Sequence, residues 1–372
     1  MALYIGLMSG TSLDGIDGVL VDFGSPQGPP LSLRAHCHRP FAPALRAELL
    51  ALNTTGANEL ERCELAANGV ARAYAELVQA LLAKGGCAAA EVRAVGAHGQ
   101  TVRHRPGEFD GTGFTTQLLN GALLAELAGI DVVCDLRRRD VAAGGQGAPL
   151  APGLHAALFA AAGLARAVLN LGGIANLTAL GADGSVLGFD CGPANALLDA
   201  WCQRHLGLPF DDAGQWAASG QTIEHLLAAM LAEPFFALPP PKSTGRDLFR
   251  PAWLEAHLAR SAPSARAADV QATLEALTVA TVANDVQRHA PHAALLLVCG
   301  GGARNVHLMS HLAAALPGLR VTTTAEFGLP ADQVEAVAFA WLAQQFALRQ
   351  PGNIVAVTGA RGPRVLGTLH PA

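Results

Sequence analysis

Three glycine-rich turns each follow a short apolar run: Ser9-Gly10-Thr11-Ser12 after residues 3–7, Gly172-Gly173 after 167–171, and Gly300-Gly301-Gly302 after 294–298. Glycine has no Cβ, so backbone N–H groups can come close to a phosphate, and the hydroxyls of Thr11 and Ser12 add donors. The order and spacing predict a nucleotide cradle. Two hairpin tips would clasp a triphosphate, and the third turn would lead into a helix beside the nucleoside. Ordinary tight turns are the plainer alternative, since strands often end in glycine. Phosphoryl transfer also needs a base. Asp190 closes the apolar run 185–189, just before Cys191-Gly192-Pro193-Ala194-Asn195. An aspartate at a strand end suits that task, although from spacing alone it could cap the helix that Pro193 opens. The tip carboxylates Asp14 and Asp17 are candidates for Mg2+ or its water shell. Their alternative role is turn chemistry, which Asp-Gly favours.

Other chemistries are excluded by what the chain lacks. There is no G-x-x-x-x-G-K-[ST], no H-E-x-x-H and no G-x-S-x-G. Gly300 and Gly302 do not complete G-x-G-x-x-G, because Asn305 stands where a glycine is needed. None of the seven cysteines is in C-x-x-C spacing, which argues against a zinc ribbon or redox motif. Reduced thiols fit an intracellular compartment. The triplet His36-Cys37-His38 lacks a second ligand pair. With 25 basic against 30 acidic residues and a net charge of −5, no global basic footprint for nucleic acid exists. The one dense basic run, Arg137-Arg138-Arg139 between Asp135 and Asp140, reads as a salt-bridged turn or a local anion site. The first five residues form a strand pattern rather than a signal peptide, and no membrane span is expected.

The positioning elements follow from periodicity. Residues 3–7 and 18–23 read as a hairpin with the long polar tip between them. Helices are expected over 43–53, 57–84 and 121–128, with strands at 92–97 and 130–134. The hairpin theme returns at 167–171, 176–180 and 185–189. Helices then follow near 194–205, 219–232, 251–260, 267–288, 305–315 and 332–348, with strands at 294–298 and 320–324. Hydrophobic residues make up 51% and charged residues 15%, which supports a large core rather than a disordered chain. A length of 372 residues suits two domains, and the recurring hairpin suggests a duplicated α/β unit.

The chain resembles the anhydro-N-acetylmuramic acid kinases. The resemblance is carried by Ile5-Gly6-Leu7-Met8-Ser9-Gly10-Thr11-Ser12-Leu13-Asp14-Gly15-Ile16-Asp17, by Gly96-Ala97-His98-Gly99-Gln100-Thr101, by the run from Asp135 to Leu150, by Asn170-Leu171-Gly172-Gly173-Ile174-Ala175-Asn176, by Gly188-Phe189-Asp190-Cys191-Gly192-Pro193, by Lys242-Ser243-Thr244-Gly245-Arg246 and by Cys299-Gly300-Gly301-Gly302. It implies an actin/Hsp70/hexokinase (ribonuclease H-like) fold: two related α/β domains with the nucleotide in a cleft. The expected division is 1–128 with 350–372, and 129–349. It further implies a cytoplasmic, homodimeric enzyme of cell-wall recycling that uses ATP and Mg2+ to convert 1,6-anhydro-N-acetylmuramic acid to N-acetylmuramic acid 6-phosphate. Carried over, Asp190 is the base. The ATP-binding residues are Gly10, Thr11, Ser12, Leu13, Asp14, Gly15, Ile16 and Asp17 in the first loop, Gly172 and Gly173 in the second, and Gly300, Gly301 and Gly302 beside adenosine. Gln100, Asp135, Arg138 and Glu335 are candidates for the sugar, an arginine fork suiting its lactyl carboxylate; Glu335 could instead serve the dipole of its own helix.

Two departures stand out. The turn Leu118-Leu119-Asn120-Gly121 replaces the family's usual Ile-Gly, Asn or Asp, then Pro. Met8 stands where many sugar kinases of the wider superfamily carry an aspartate. The competing readings are a kinase of the same superfamily acting on another sugar or acid, and a nucleotide-gated binding protein.

Overall fold

The computed structural model describes residues 2–10, 13, 15–24, 31–244 and 248–372. Its strands are β1 (Leu3–Met8), β2 (Ile16–Asp22), β3 (Ser32–Arg39), β4 (Val92–Ala97), β5 (Gln100–Pro106), β6 (Gly113–Leu118), β7 (Val132–Cys134), β8 (Arg166–Leu171), β9 (Ile174–Leu180), β10 (Val186–Pro193), β11 (Leu295–Cys299), β12 (Arg320–Thr323) and β13 (Thr368–His370). The helices are α1 (Pro43–Ala51), α2 (Glu59–Gly85), α3 (Gly121–Ala128), α4 (Arg138–Ala142), α5 (Ala151–Phe159), α6 (Asn195–Leu206), α7 (Gln215–Ala218), α8 (Glu224–Leu231), α9 (Pro251–Ser261), α10 (Ala267–His289), α11 (Val306–Ala315), α12 (Val334–Ala347) and α13 (Val355–Thr358).

The chain divides into two compact units: residues 1–154 with 333–372, and residues 155–332. In the first, the sheet runs β13-β7-β4-β1-β2-β3; in the second, it runs β10-β9-β8-β11-β12. In β1-β2-β3 and in β8-β9-β10, consecutive strands pair antiparallel. On the other side of β1, β4 and then β7 add in parallel, as β11 and β12 do beside β8. Five strands of each sheet therefore share one order and one set of directions. That is the duplication expected from the recurring hairpins.

The division differs from the expected one. Residues 129–154 and 333–349 belong with the first unit. β7 completes the first sheet beside β4, and α12 packs on β1, β2 and β4. The pairing of β7 with β13 spans more than 200 residues of sequence, which local patterns do not reveal. Strand β3 and the separate β5–β6 hairpin were also not expected. β3 is only half-buried, so its apolar alternation is weak.

One contact organises the first unit. Gly6 and Gly96 are direct partners on the parallel strands β1 and β4. A Cβ on Gly6 would lie 1.9 Å from the carbonyl oxygen of Ala336, and one on Gly96 1.9 Å from that of Phe339. The paired glycines form a bare strip on which the backbone of α12 rests directly. α12 itself is buried along Val334, Ala336, Val337, Ala338, Phe339, Ala340, Leu342 and Ala343.

The departing turn at 118–121 has a structural account. Asn120 caps α3, its Oδ1 accepting from the Leu123 N–H at 3.0 Å, and its Nδ2 donates to Asn68 at 2.7 Å. Gly121 is packed tightly, since a Cβ there would lie 2.5 Å from the His370 ring and 2.7 Å from Cys134 Sγ. Among the described residues no helix is long and apolar enough to cross a membrane.

Candidate active site

The first unit holds its glycine-rich loop by both ends. Ser9, at the end of β1, is buried; its hydroxyl donates to the Gly99 carbonyl at 2.9 Å and shares a hydrogen bond with Tyr74 at 2.8 Å. His98 Nδ1 lies 3.1 Å from the Ser9 carbonyl, and Arg137 Nε donates to His98 Nε2 at 3.1 Å. Burial, with the Arg137 charge alongside, pushes the His98 imidazole down to about 3. It is therefore neutral, and its partners assign the tautomer: Nδ1–H to the loop carbonyl, Nε2 accepting from arginine. Gln100, fully buried, donates Nε2 to the Gly10 carbonyl at 3.0 Å. Further on, Leu13 adopts a positive φ of 58°, and Arg46 Nε fixes its carbonyl at 2.8 Å. Thr11, Ser12 and Asp14 lie outside the described residues. Gly15 leads directly into β2, which opens at Ile16.

Asp17 sits differently from the expectation of a metal ligand. Its Oδ1 is within 3.3 Å of His36 Nε2 and 3.1 Å of His38 Nδ1, both on the adjacent β3. Although burial opposes it, these imidazoles hold the carboxyl below its usual range.

The expected sugar-binding residues fall into two groups within this unit. Gln100 belongs to the loop anchor, and its buried Oε1 has no partner among the described residues. Asp135 and Arg138 form a pair at 3.6 Å, with Arg138 Nε also 3.3 Å from the Thr115 carbonyl. The Arg138 side chain is 60% exposed, so much of its fork is open to solvent. Burial raises the Asp135 carboxyl against the pull of Arg138. Glu335, exposed in the first turn of α12, exerts its field on Arg137. Burial nevertheless brings Arg137 down to about 10. Of the basic triplet, then, the first arginine is half-buried, while Arg138 and Arg139 are exposed. Asp140 beside it is a structural hub, accepting from Gly147 N, Asn353 Nδ2 and Thr358 Oγ1 at 2.7–2.8 Å.

In the second unit, two of the glycine turns meet. β8 and β11 are parallel neighbours, with Cys299 opposite Asn170, so Gly172-Gly173 and Gly300-Gly301-Gly302 leave the same end of the sheet. The Gly172 and Gly173 carbonyls accept from the N–H groups of Asn195, Ala194 and Ala196 at 3.0–3.1 Å, and Asn195 Nδ2 donates to the Leu171 carbonyl. The described hydrogen bonds of this tip thus engage its carbonyls, not its N–H groups.

The glycines separate into two kinds. Gly300 has φ +81°, and a Cβ there would meet Asn170 at 2.4 Å; one on Gly302 would meet Leu171 at 2.6 Å. Packing alone demands those two. At Gly172, Gly173 and Gly301, a Cβ would meet nothing closer than 3.5 Å. The fold does not need glycine there, whereas a phosphate or nucleoside approaching the backbone would. The residues present therefore fit a nucleotide.

Asp190 lies on β10, opposite Asn176 of β9, where the pairing slips before Gly192. Asn176 Nδ2 donates to its Oδ1 at 2.8 Å; the Thr244 N–H at 2.8 Å and the Ser243 hydroxyl at 3.1 Å donate to its Oδ2. Its own N–H donates to the Lys242 carbonyl. Asp190 is thus a strand residue clamped by side-chain and loop donors, rather than the helix cap that spacing also allowed. Burial raises its carboxyl above the usual range, while Asn176, Thr244, Ser243 and the Lys242 charge work the other way. A carboxylate held at fixed orientation with a raised pKa is suited to take a proton from a nucleophile.

The anhydro-N-acetylmuramic acid kinase family model matches residues 2–372. The chain belongs to that family. It is 60% identical over 370 residues to the anhydro-N-acetylmuramic acid kinase of Cupriavidus pinatubonensis, covering 99% of this chain and 98% of that one. The Variovorax paradoxus enzyme of the same name is 59% identical, with 100% and 99% covered. Solved structures are more distant: an activator of 2-hydroxyisocaproyl-CoA dehydratase from Clostridium difficile gives a TM-score of 0.48 at 15% identity, over 93% of this chain and 96% of that one. That likeness is too loose to bear on substrate.

Within the family motifs, several residues do work that sequence reasoning did not assign. Asn176, Ser243 and Thr244 clamp the aspartate, and their place in runs that carry the family resemblance was the available signal. His98 and Arg137 brace the loop. Lys242 was not foreseeable as a partner of Asp285, 43 residues away on α10. Its Nζ lies 3.3 Å from Asp285 Oδ2, with both side chains only 2% exposed, and it sits over the rings of Phe235 at 5.1 Å and Phe189 at 5.6 Å. Removing one member of a buried ion pair strands the other charge, at about 3–5 kcal/mol. Lys242→Met should therefore lower unfolding free energy in urea by that amount, and Lys242→Met with Asp285→Leu should recover most of it. A single-variant loss under about 1 kcal/mol would show that the pair does not support the Asp190 wall.

Proposed function

We propose that this protein is an ATP-dependent kinase that hydrolytically opens 1,6-anhydro-N-acetylmuramic acid and phosphorylates O6, giving N-acetylmuramic acid 6-phosphate for cell-wall recycling. Membership of the family over the whole described chain supports the class, and the clamped Asp190 carboxylate is the observation that carries the mechanism. The anhydro sugar has no free 6-hydroxyl, because O6 is bonded to C1. Asp190 takes a proton from water, and the water oxygen bonds to C1. The C1–O6 bond breaks, and O6 receives the γ-phosphoryl group as ADP leaves. One base thus serves both bond changes. Ser243 and Thr244 orient Oδ2 and Asn176 orients Oδ1, so the carboxylate is held before substrate arrives.

In this reading the Gly10–Asp17 loop and the Gly172-Gly173 tip hold the ATP phosphates through backbone N–H groups, and Gly300-Gly301-Gly302 lies against the nucleoside. Gln100 offers its unpartnered Oε1 to the sugar. Arg138 offers its fork to the lactyl carboxylate, with Asp135 and Glu335 taking sugar hydroxyls. Mg2+ accompanies ATP. Asp17 is poorly suited to ligate it, since His36 and His38 already engage its Oδ1. The cytoplasmic, homodimeric state implied by the family belongs to the same reading.

The test is ADP release from Mg·ATP with and without 1,6-anhydro-N-acetylmuramic acid, using ring-opened N-acetylmuramic acid as control. Strong stimulation by the anhydro sugar alone is expected. Equal stimulation by the ring-opened sugar, or none by either, would assign the site to another acceptor.

A further inference from the structure

Away from the residues given roles above, the second unit gathers three metal-ligating side chains. His307 and His311 are four residues apart on α11, so they project from one face of the helix. Their rings lie 4.2 Å apart between centroids. Both face Glu275, a carboxylate of α10 whose side chain is 1% exposed. His307 Nδ1 is 2.6 Å and His311 Nδ1 3.2 Å from the same oxygen, Oε1. The other oxygen is 3.4 Å from Asn305 Nδ2, the residue that caps α11. One ligand atom from each of the three residues falls within 4.8 Å of the others, the single such group among the described residues.

From this juxtaposition we propose a binding site for a borderline divalent metal ion of the Zn2+ or Co2+ type, with Glu275 Oε1 and the Nδ1 atoms of His307 and His311 as protein ligands and water completing the shell. Two imidazoles and a carboxylate are the donors such ions take. With metal–ligand bonds near 2.0–2.2 Å, tetrahedral ligand atoms stand about 3.3 Å apart. The His311–Glu275 separation of 3.2 Å already matches, and the His307 contact at 2.6 Å needs to widen by about 0.7 Å, a shift within reach of a side-chain torsion. Glu275 is too buried to be comfortable as an isolated charge, and burial raises its carboxyl despite His307 and His311. The imidazoles are progressively more open, with His307 27% and His311 50% exposed, which gives an ion a path in. Bound there, the metal would tie α10 to α11, the helix that follows the Gly300 turn.

The experiment is calorimetric titration of the full chain with ZnCl2 after chelation and desalting, with Co2+ absorption as a spectroscopic reading and no reliance on kinase activity. Wild type should bind one ion per chain at this site, give visible Co2+ bands and melt several degrees higher with Zn2+. His311→Ala removes a half-exposed side chain, so it should fold as wild type; it should lose at least the ~10-fold in affinity that even an outer-shell partner is worth. Glu275→Gln should abolish the Co2+ bands. His36→Ala with His38→Ala, which removes the other paired imidazoles, should leave the bands unchanged. No stoichiometric ion in wild type would overturn the site and leave Glu275 as a carboxylate held by two imidazole N–H donors. Undiminished binding in His311→Ala would place the ion elsewhere and overturn it equally.

Discussion

Asp190→Asn should lower kcat by at least ~10²-fold, the scale on which a lost general base is felt, while nucleotide affinity stays at the wild-type value. The amide keeps the size of the side chain but cannot take the proton from water. It also turns an N–H group toward donors that the carboxylate accepts: Asn176 at Oδ1, Thr244 and Ser243 at Oδ2. Single-turnover ADP formation and a nucleotide-binding titration separate the two effects. Near-normal turnover would remove Asp190 as the base. The pH profile carries the same argument. Burial raises the Asp190 pKa, and only the ionised form acts, so kcat/KM should fall as pH is lowered through a midpoint above the usual carboxylate range. Asn176→Ala deletes a bond that favours the ionised form, and should move that midpoint further up.

Gly96→Ala should destabilise the protein by about 3 kcal/mol or more, at the upper end of overpacking costs. A single methyl group is usually a small change, but here its carbon would lie 1.9 Å from the Phe339 carbonyl oxygen and 2.7 Å from the carbonyl carbon. Both are backbone atoms of α12, so no side chain can rotate away. The helix must lift, and its buried alanines, Val337 and Phe339 lose their seat together. Gly6→Ala should behave alike, against the Ala336 carbonyl oxygen. Denaturant unfolding measures both. A loss below about 1 kcal/mol at either position would mean that α12 does not rest on the glycine strip as described.

What could be read from the sequence follows the range of the interactions. The two hairpin-led halves were legible because each hairpin is local: apolar run, polar tip, apolar run. The glycine turns were legible because they stand at strand ends; Asp190 was legible because it follows the apolar run 185–189, although β10 continues past it to Pro193. The unit boundary was misplaced because β7 finds β13, and α12 finds β1 and β4, across most of the chain. Periodicity cannot report such pairings. The same reason hid Lys242–Asp285 and the bracing of Ser9 by His98 and Arg137. In the basic triplet, charge density drew attention to all three arginines, but only burial separates Arg137, which braces the loop, from the exposed Arg138. Glu275, His307 and His311 escaped notice because two of them share a helix face while the third arrives from another helix.

The first unit is built from the two ends of the chain, and the second is one uninterrupted run. On the ribosome these parts therefore come into being out of step. Residues 1–154 emerge first, but their glycine strip stays bare and β7 lacks an edge partner until residues 333–372 follow. At roughly 5–20 residues per second, the intervening stretch takes on the order of ten to forty seconds to synthesise. During that interval the second unit has everything it needs to fold, while the first exposes an unfinished apolar surface. The nascent chain is thus most in need of a chaperone at its oldest end, and release before residue 333 would leave the first unit without its α12 keel.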